Sequence, residues 1–197
     1  MRSARALIGG LGFCLILLGA IAPALGGSED SPTAQVAEDG RGVYTVKGSF
    51  TVAAPPALAW SVLSDYDQLG ERIPSMRSSV VKRSGPTSAL VAQESTVYVL
   101  AFPKRLRVML QVTEDPERRI DFEDVAREDF EVYQGAWQLE KTPGGTRVDY
   151  VASARPRINV PFFGKSLFLD TVKGLLGDLR REMMRRAMAR GAWDNAA

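Results

Sequence analysis

The side chains best placed to do chemistry in this chain are carboxylates and tyrosines, because histidine is absent from all 197 positions. Without imidazole there is no Ser-His-Asp or Cys-His nucleophile. Zinc and copper sites of the usual His/Cys kind are excluded as well. Two carboxylates stand out by position. Glu94 shares one side of a strand-like run with Thr96 and Tyr98, and Asp124 follows Ile120 and Phe122 in alternation. Turned toward a dry cavity, either one would act as a general acid or base with a raised pKa. At a strand end or on a solvated face it would do neither, which is the commoner fate of such residues. No catalytic residue is therefore assigned, and Glu94 and Asp124 stand only as candidates. No cofactor or metal is expected: DYDQLGERIP (65–74) holds three acids but lacks the spacing of a calcium loop.

The aromatic residues form the second group. In VYQGAWQLEKTPGGTRVDY (132–150), Tyr133, Gly135, Trp137 and Leu139 alternate along one face. Pro143-Gly144-Gly145 turns the chain, and Val148, Tyr150 and Ala152 answer on the partner strand. A glycine between two aromatics removes a side chain where a wide group must fit, or marks a bulge. The aromatics either wall a cavity with tyrosine hydroxyls as orienting points or fill a core. Spacing alone leaves both open.

Positioning these groups requires regular elements, and the chain supplies them in a clear order. VYTVKGSFTVA (43–53) alternates as a half-buried strand. Pro55-Pro56 opens a helix with Leu58, Val62 and Leu63 on its apolar side, and a short second helix ends before Pro74. Six strand-like runs follow at 77–85, 88–100, 105–115, 118–126, 129–142 and 146–156, joined by short turns. From Gly164 to Arg190, Phe168, Val172, Leu175, Leu176, Leu179 and Met183 recur at three- and four-residue spacing. That is the stripe of a long amphipathic helix. The expected architecture is α+β, a seven-stranded antiparallel sheet covered by that helix, with two short helices after the first strand.

The ends read differently. Residues 1–24 have the layout of a secretory signal peptide: Arg2 and Arg5, an apolar run from Ala6 to Ile21, then Ala22-Pro23-Ala24. This predicts export to the periplasm or secretion, with an uncleaved inner-membrane anchor as the alternative. Removing the leader takes two arginines and the only cysteine, Cys14, leaving acids and bases even. Nucleic acid binding is not expected from such a balance. Residues 25–42 read as a flexible spacer, 43–190 as one domain and 191–197 as a tail, with Gly191 a plausible helix stop.

Taken in order, FTVAAPPALAWSVLSDYDQLGERIPSM, the FPKRLRV turn, the VYQGAWQLE…GTRVDY hairpin and the closing helix resemble the START-like (Bet v 1-like, SRPBCC) superfamily. The likeness spans 43–190 and is greatest to its polyketide cyclase/dehydrase and coenzyme Q-binding branch. The resemblance implies a helix-grip fold with an apolar cavity between sheet and helix. Members bind lipids, sterols, quinones, hormones or polyketides, a minority are enzymes, and there is no family-wide catalytic residue to carry over. On that implication the ligand would be a hydrophobic small molecule, touched by Tyr98, Tyr133, Gly135, Trp137 and Tyr150 from the sheet and Phe168, Val172 and Leu176 from the helix. Phe102, Phe162 and Phe163 would sit in two rim loops at one end, as a gate or a transient membrane contact. The expected function is binding, and transport, of such a molecule. The alternatives are a metal-free cyclase or dehydratase and an envelope interaction module.

Overall fold

The computed structural model describes residues 31–73, 76–99, 102–158 and 164–194. Its elements run β1 (Thr33–Glu38), β2 (Tyr44–Val52), α1 (Pro56–Leu63), α2 (Tyr66–Arg72), β3 (Met76–Arg83), β4 (Ser88–Val99), β5 (Phe102–Asp115), β6 (Arg119–Asp124), β7 (Phe130–Thr142), β8 (Gly145–Pro156) and α3 (Gly164–Asp194). The strands form one antiparallel sheet in the order β1-β2-β8-β7-β6-β5-β4-β3. This is the helix-grip arrangement, with eight strands rather than seven.

The extra strand corrects the reading of 25–42 as a flexible spacer. Thr33–Glu38 pairs with β2 from Thr33↔Ser49 to Glu38↔Tyr44. Ala34 and Val36 pack against the core, while the alternate residues are small or polar. Six such residues carry little hydrophobic signal, and the strand exists because β2 offers a free edge. The turn leading into β2 is the part that sequence could have shown. Gly40 takes a φ of 75° and Gly42 a φ of 80°, conformations that glycine adopts without cost. The Asp39 carboxylate accepts from the backbone N–H of Arg41 at 2.9 Å and from that of Val43 at 3.2 Å, as aspartates in turns commonly do. At the other end α3 runs through Gly191 to Asp194, so the expected stop at 191 is not used.

The sheet edge at β3 is closely managed. Its ladder to β4 shifts register between Val80 and Lys82. The Asp67 carboxylate of α2 accepts from the Val80 N–H at 2.9 Å.

Val172, Leu176, Leu179 and Met183 of α3 are buried against the sheet, as the apolar stripe predicts. The helix approaches β1, β2 and α1 most closely. Gly48 of β2 permits this, because a Cβ there would lie 2.5 Å from the Leu176 Cδ1 and 2.9 Å from the Thr33 carbonyl oxygen. Leaning to that side, α3 leaves room beneath the rest of the sheet.

Its far half is held by charge. Glu182, 7% exposed, receives hydrogen bonds from Arg185 at 2.7 Å and Arg186 at 2.8 Å, with Arg72 of α2 3.7 Å away. Arg186 also donates to Asp65 at 3.2 Å and to the Ser61 carbonyl. The hydrogen bonds from Arg185, then that from Arg186, hold the Glu182 carboxyl down at about 2, against burial acting the other way. Arg186, with Glu182, therefore fastens α3 to α1 and α2.

A second polar clamp holds α2. The Tyr66 phenol donates to Glu114 of β5 at 2.8 Å, and Arg83 approaches the same carboxylate at 3.5 Å. Burial, reinforced by that hydrogen bond, keeps Tyr66 protonated far above its ordinary range.

Candidate functional site

Between sheet and helix lie two adjoining spaces, one of about 160 Å³ and one of about 70 Å³. They meet at Met76, Gln93, Tyr133, Tyr150 and Leu175, which line both. The larger runs under β4, β5 and β8, and is floored by Leu167, Phe168, Thr171 and Val172 from the first turns of α3. The smaller lies deeper, against Trp137, Phe122, Ile120 and Leu179. Among the described residues no charged side chain lines either one.

Strand alternation explains how the wall is built. On β7 and β8, Tyr133, Trp137 and Tyr150 point inward from cross-strand positions, with Trp137 directly opposite Tyr150. The Tyr150 ring packs 4.4 Å from Trp137, and Phe122 and Phe130 sit 5.5 and 5.0 Å from Tyr133. Such aromatic neighbours fix ring positions more tightly than aliphatic packing would. The two phenols are near enough to affect each other's ionisation. Burial pushes Tyr133 above the ordinary tyrosine range. It pushes Tyr150 well above, with Tyr133 beside it adding to the effect. Both therefore remain protonated, as neutral donors in an apolar wall.

Of the residues expected at the site, the cavity brings together Tyr133, Trp137, Tyr150, Phe168 and Val172. Leu176 is fully buried but packs over Gly48 and borders neither space. Gly135 is not a gap for ligand. It pairs with Phe122 and Ala152 in unbroken register, so it is no bulge either; the β7 irregularity falls between Phe130 and Val132. A Cβ on Gly135 would collide with the Val151 carbonyl oxygen and lie 2.7 Å from the Phe122 ring and 2.9 Å from the Ala152 Cα. Its role is close approach of neighbouring strands beneath the Phe122 ring.

Tyr98 is also displaced from the expected wall. It lies near the tip of the β4–β5 hairpin and is 64% exposed, and Phe102 sits in the rim turn where it was expected, 73% exposed. The inward row of β4 is Ala89, Val91, Gln93, Ser95 and Val97, and Glu94 falls on the opposite face, 3.9 Å from Arg105. Both rows of SALVAQESTVYV mix apolar and polar residues, so alternation alone could not decide which faced inward. Phe162 and Phe163 lie outside the described residues.

Asp124 does face inward and is 2% exposed, yet it serves the backbone. Its Oδ1 accepts from the N–H groups of Met109 at 2.9 Å and Ala126 at 3.2 Å, closing the end of β6 onto β5. Neither carboxylate candidate borders the cavity. Sequence reasoning missed Gln93 and Ser95 of β4, Ser78 of β3 and Thr171 of α3, which border it beside Thr96. Polar residues in the alternation of Ala89 and Val91 were the available signal.

The comparisons agree with this geometry. The family described as polyketide cyclase/dehydrase and lipid transport matches residues 44–192. The chain belongs to that family. Among solved structures it resembles the Zhui aromatase/cyclase of a Streptomyces species, with 18% identity, TM-score 0.63, and coverage of 76% of this chain and 98% of that one. A STAR-related lipid transfer protein from Xanthomonas axonopodis gives 17% identity, TM-score 0.61 and the same coverage. A Thermus thermophilus protein gives 22% identity, TM-score 0.61 and coverage of 72% and 98%. At these identities the likeness shows the fold. No curated protein matches the sequence.

Proposed function

We propose that this protein binds, and carries, an apolar small molecule in the cavity between the sheet and α3. The observation that carries the reading is the enclosure, largely apolar and without charge among its described lining residues, whose aromatic wall is held by strand pairing. Binding there draws on burial of ligand surface, worth roughly 25 cal/mol per Å². Membership of a family that includes lipid transport supports the same reading. Native mass spectrometry of the protein purified from its producing cell tests it: a co-purifying neutral apolar molecule is expected. A bare protein that also fails to take up hydrophobic fluorescent probes would overturn it. The cyclase or dehydratase alternative is weakened, because Glu94 and Asp124 do not border the cavity and any reaction there falls to the tyrosines.

A second element of the proposal concerns delivery. Tyr98 and Phe102 are exposed on opposite faces of a hairpin that continues into Pro103, Lys104 and Arg105. An aromatic tip with adjacent cations suits shallow insertion into an anionic membrane surface. Co-sedimentation with anionic vesicles should fall on Tyr98→Ala/Phe102→Ala, and unchanged sedimentation would refute it. Export, suggested by residues 1–24, belongs to the same reading and is tested by N-terminal sequencing of the protein recovered from the envelope.

A further inference from the structure

We infer that the ligand is neutral and about one ring in girth where it is enclosed, and that it presents an oxygen acceptor to the hydroxyls of Tyr133 and Tyr150 at the junction of the two spaces. The inference rests on the cavity reading above and narrows it to a chemical class.

Size comes first. An apolar cavity of about 150 Å³ holds one benzene. The larger space here is about 160 Å³, with a side space of about 70 Å³. A single ring with a short substituent fits this enclosure, whereas a fused four-ring body does not.

Charge comes next. No cation or anion stands among the described lining residues. A carboxylate or phosphate drawn inside would lose its hydration without gaining a counter-ion. A neutral carbonyl or hydroxyl loses far less and can regain a hydrogen bond.

The polar atoms are concentrated where such a group would sit. Gln93, Tyr133 and Tyr150 all occupy the junction of the two spaces. The two phenols have two hydrogens between them, and a contact between the two can use no more than one. The second is left to donate to a ligand oxygen. Among the described residues, the Gln93 amide nitrogen contacts only the Met76 sulfur, at 2.9 Å, and a thioether is a weak acceptor. Ser78 Oγ, on a residue that lines the smaller space, is buried with no partner among the described residues. Buried polar groups are normally paired, and a ligand oxygen at the junction would give the Gln93 amide the acceptor it lacks.

Calorimetric titration of the purified protein at neutral pH with ethylbenzene, acetophenone and benzoate tests this. These three share a ring and differ in what they offer the tyrosines: nothing, a neutral carbonyl and an anion. Acetophenone should bind about fivefold or more tighter than ethylbenzene, and benzoate about a hundredfold weaker than acetophenone. In Tyr133→Phe/Tyr150→Phe the acetophenone affinity should fall to that of ethylbenzene while ethylbenzene binding persists, which also shows that the variant is folded. Equal affinities for ethylbenzene and acetophenone, a preference that survives the double substitution, or benzoate binding as tightly as acetophenone would each overturn the inference and leave the cavity reading standing. Failure of all three probes would remove the cavity reading and the inference together.

Discussion

Glu182→Gln is the perturbation whose size can be worked most directly. The carboxylate is nearly buried, and its folded pKa is about 2 against an ordinary 4.5. Each tenfold change in proton affinity is worth ~1.4 kcal/mol. The charged form is thus favoured on folding by roughly 3 kcal/mol, reduced toward about 2 kcal/mol because Arg185 is half exposed and screened. Since the folded pKa is depressed, this stability is fully present above pH 4.5 and is lost as pH falls through the interval down to 2. Glutamine keeps the shape and removes the charge, leaving Arg72, Arg185 and Arg186 without their shared partner. Urea unfolding of both proteins at pH 7, 4 and 2.5 should show the variant about 2–3 kcal/mol less stable at pH 7. The gap should close steadily toward pH 2, where the native glutamic acid is itself becoming neutral. A gap of constant size across that range would refute the reasoning, because the penalty would then have no link to protonation.

Other perturbations have equally definite outcomes. Gly135→Ala places a Cβ against the Val151 carbonyl and the Phe122 ring. Thermal unfolding should show a loss of about 2 kcal/mol or more, the cost of overpacking; an unchanged Tm would mean that the strands are not so close. Tyr66→Phe strips the buried Glu114 of a donor that lies 2.8 Å away. Denaturant titration should show a cost of about 1–3 kcal/mol. Leu176→Ala, at a fully buried position, should cost about 2–5 kcal/mol in the same assay. Tyr66, Tyr133 and Tyr150 all have raised pKa values, so the neutral phenol is favoured by folding. Their contribution is complete below pH 10 and is lost as pH rises beyond it. Spectrophotometric titration should accordingly show three tyrosines ionising only as the protein unfolds.

Much of the architecture was legible because each element carried a strong local signal. The 3.6-residue stripe of α3, the Pro-Gly-Gly turn into β8 and the proline-led α1 all appear where their sequences put them. The first strand was hidden because TAQVAE is held by pairing with β2 and not by its own apolar content. The site was half legible for a related reason. On β7 and β8 large aromatics alternate with polar residues and fix the inward face, so Tyr133, Trp137 and Tyr150 could be placed. On β4 the two faces are chemically alike: Tyr98 was assigned to the wrong one, while Glu94 lies on the outer face that was its commoner expectation. Gly135 needed coordinates: whether space beside a glycine is empty depends on Phe122, a residue on the neighbouring strand.

The treatment of the β3 edge bears on how copies of this protein meet. An open sheet ends in a row of unpaired N–H and C=O groups, which is a template for strand addition by another molecule. At β3 the register shift after Val80 breaks the row, and Asp67 already occupies the Val80 N–H. In a symmetric pair, Arg77, Lys82 and Arg83 would bring like charges toward one another. Continuation of the sheet from one molecule into the next is thereby obstructed at this edge. A protein that exposes an aromatic hairpin tip can then crowd onto a surface without its β3 edges seeding a fibril.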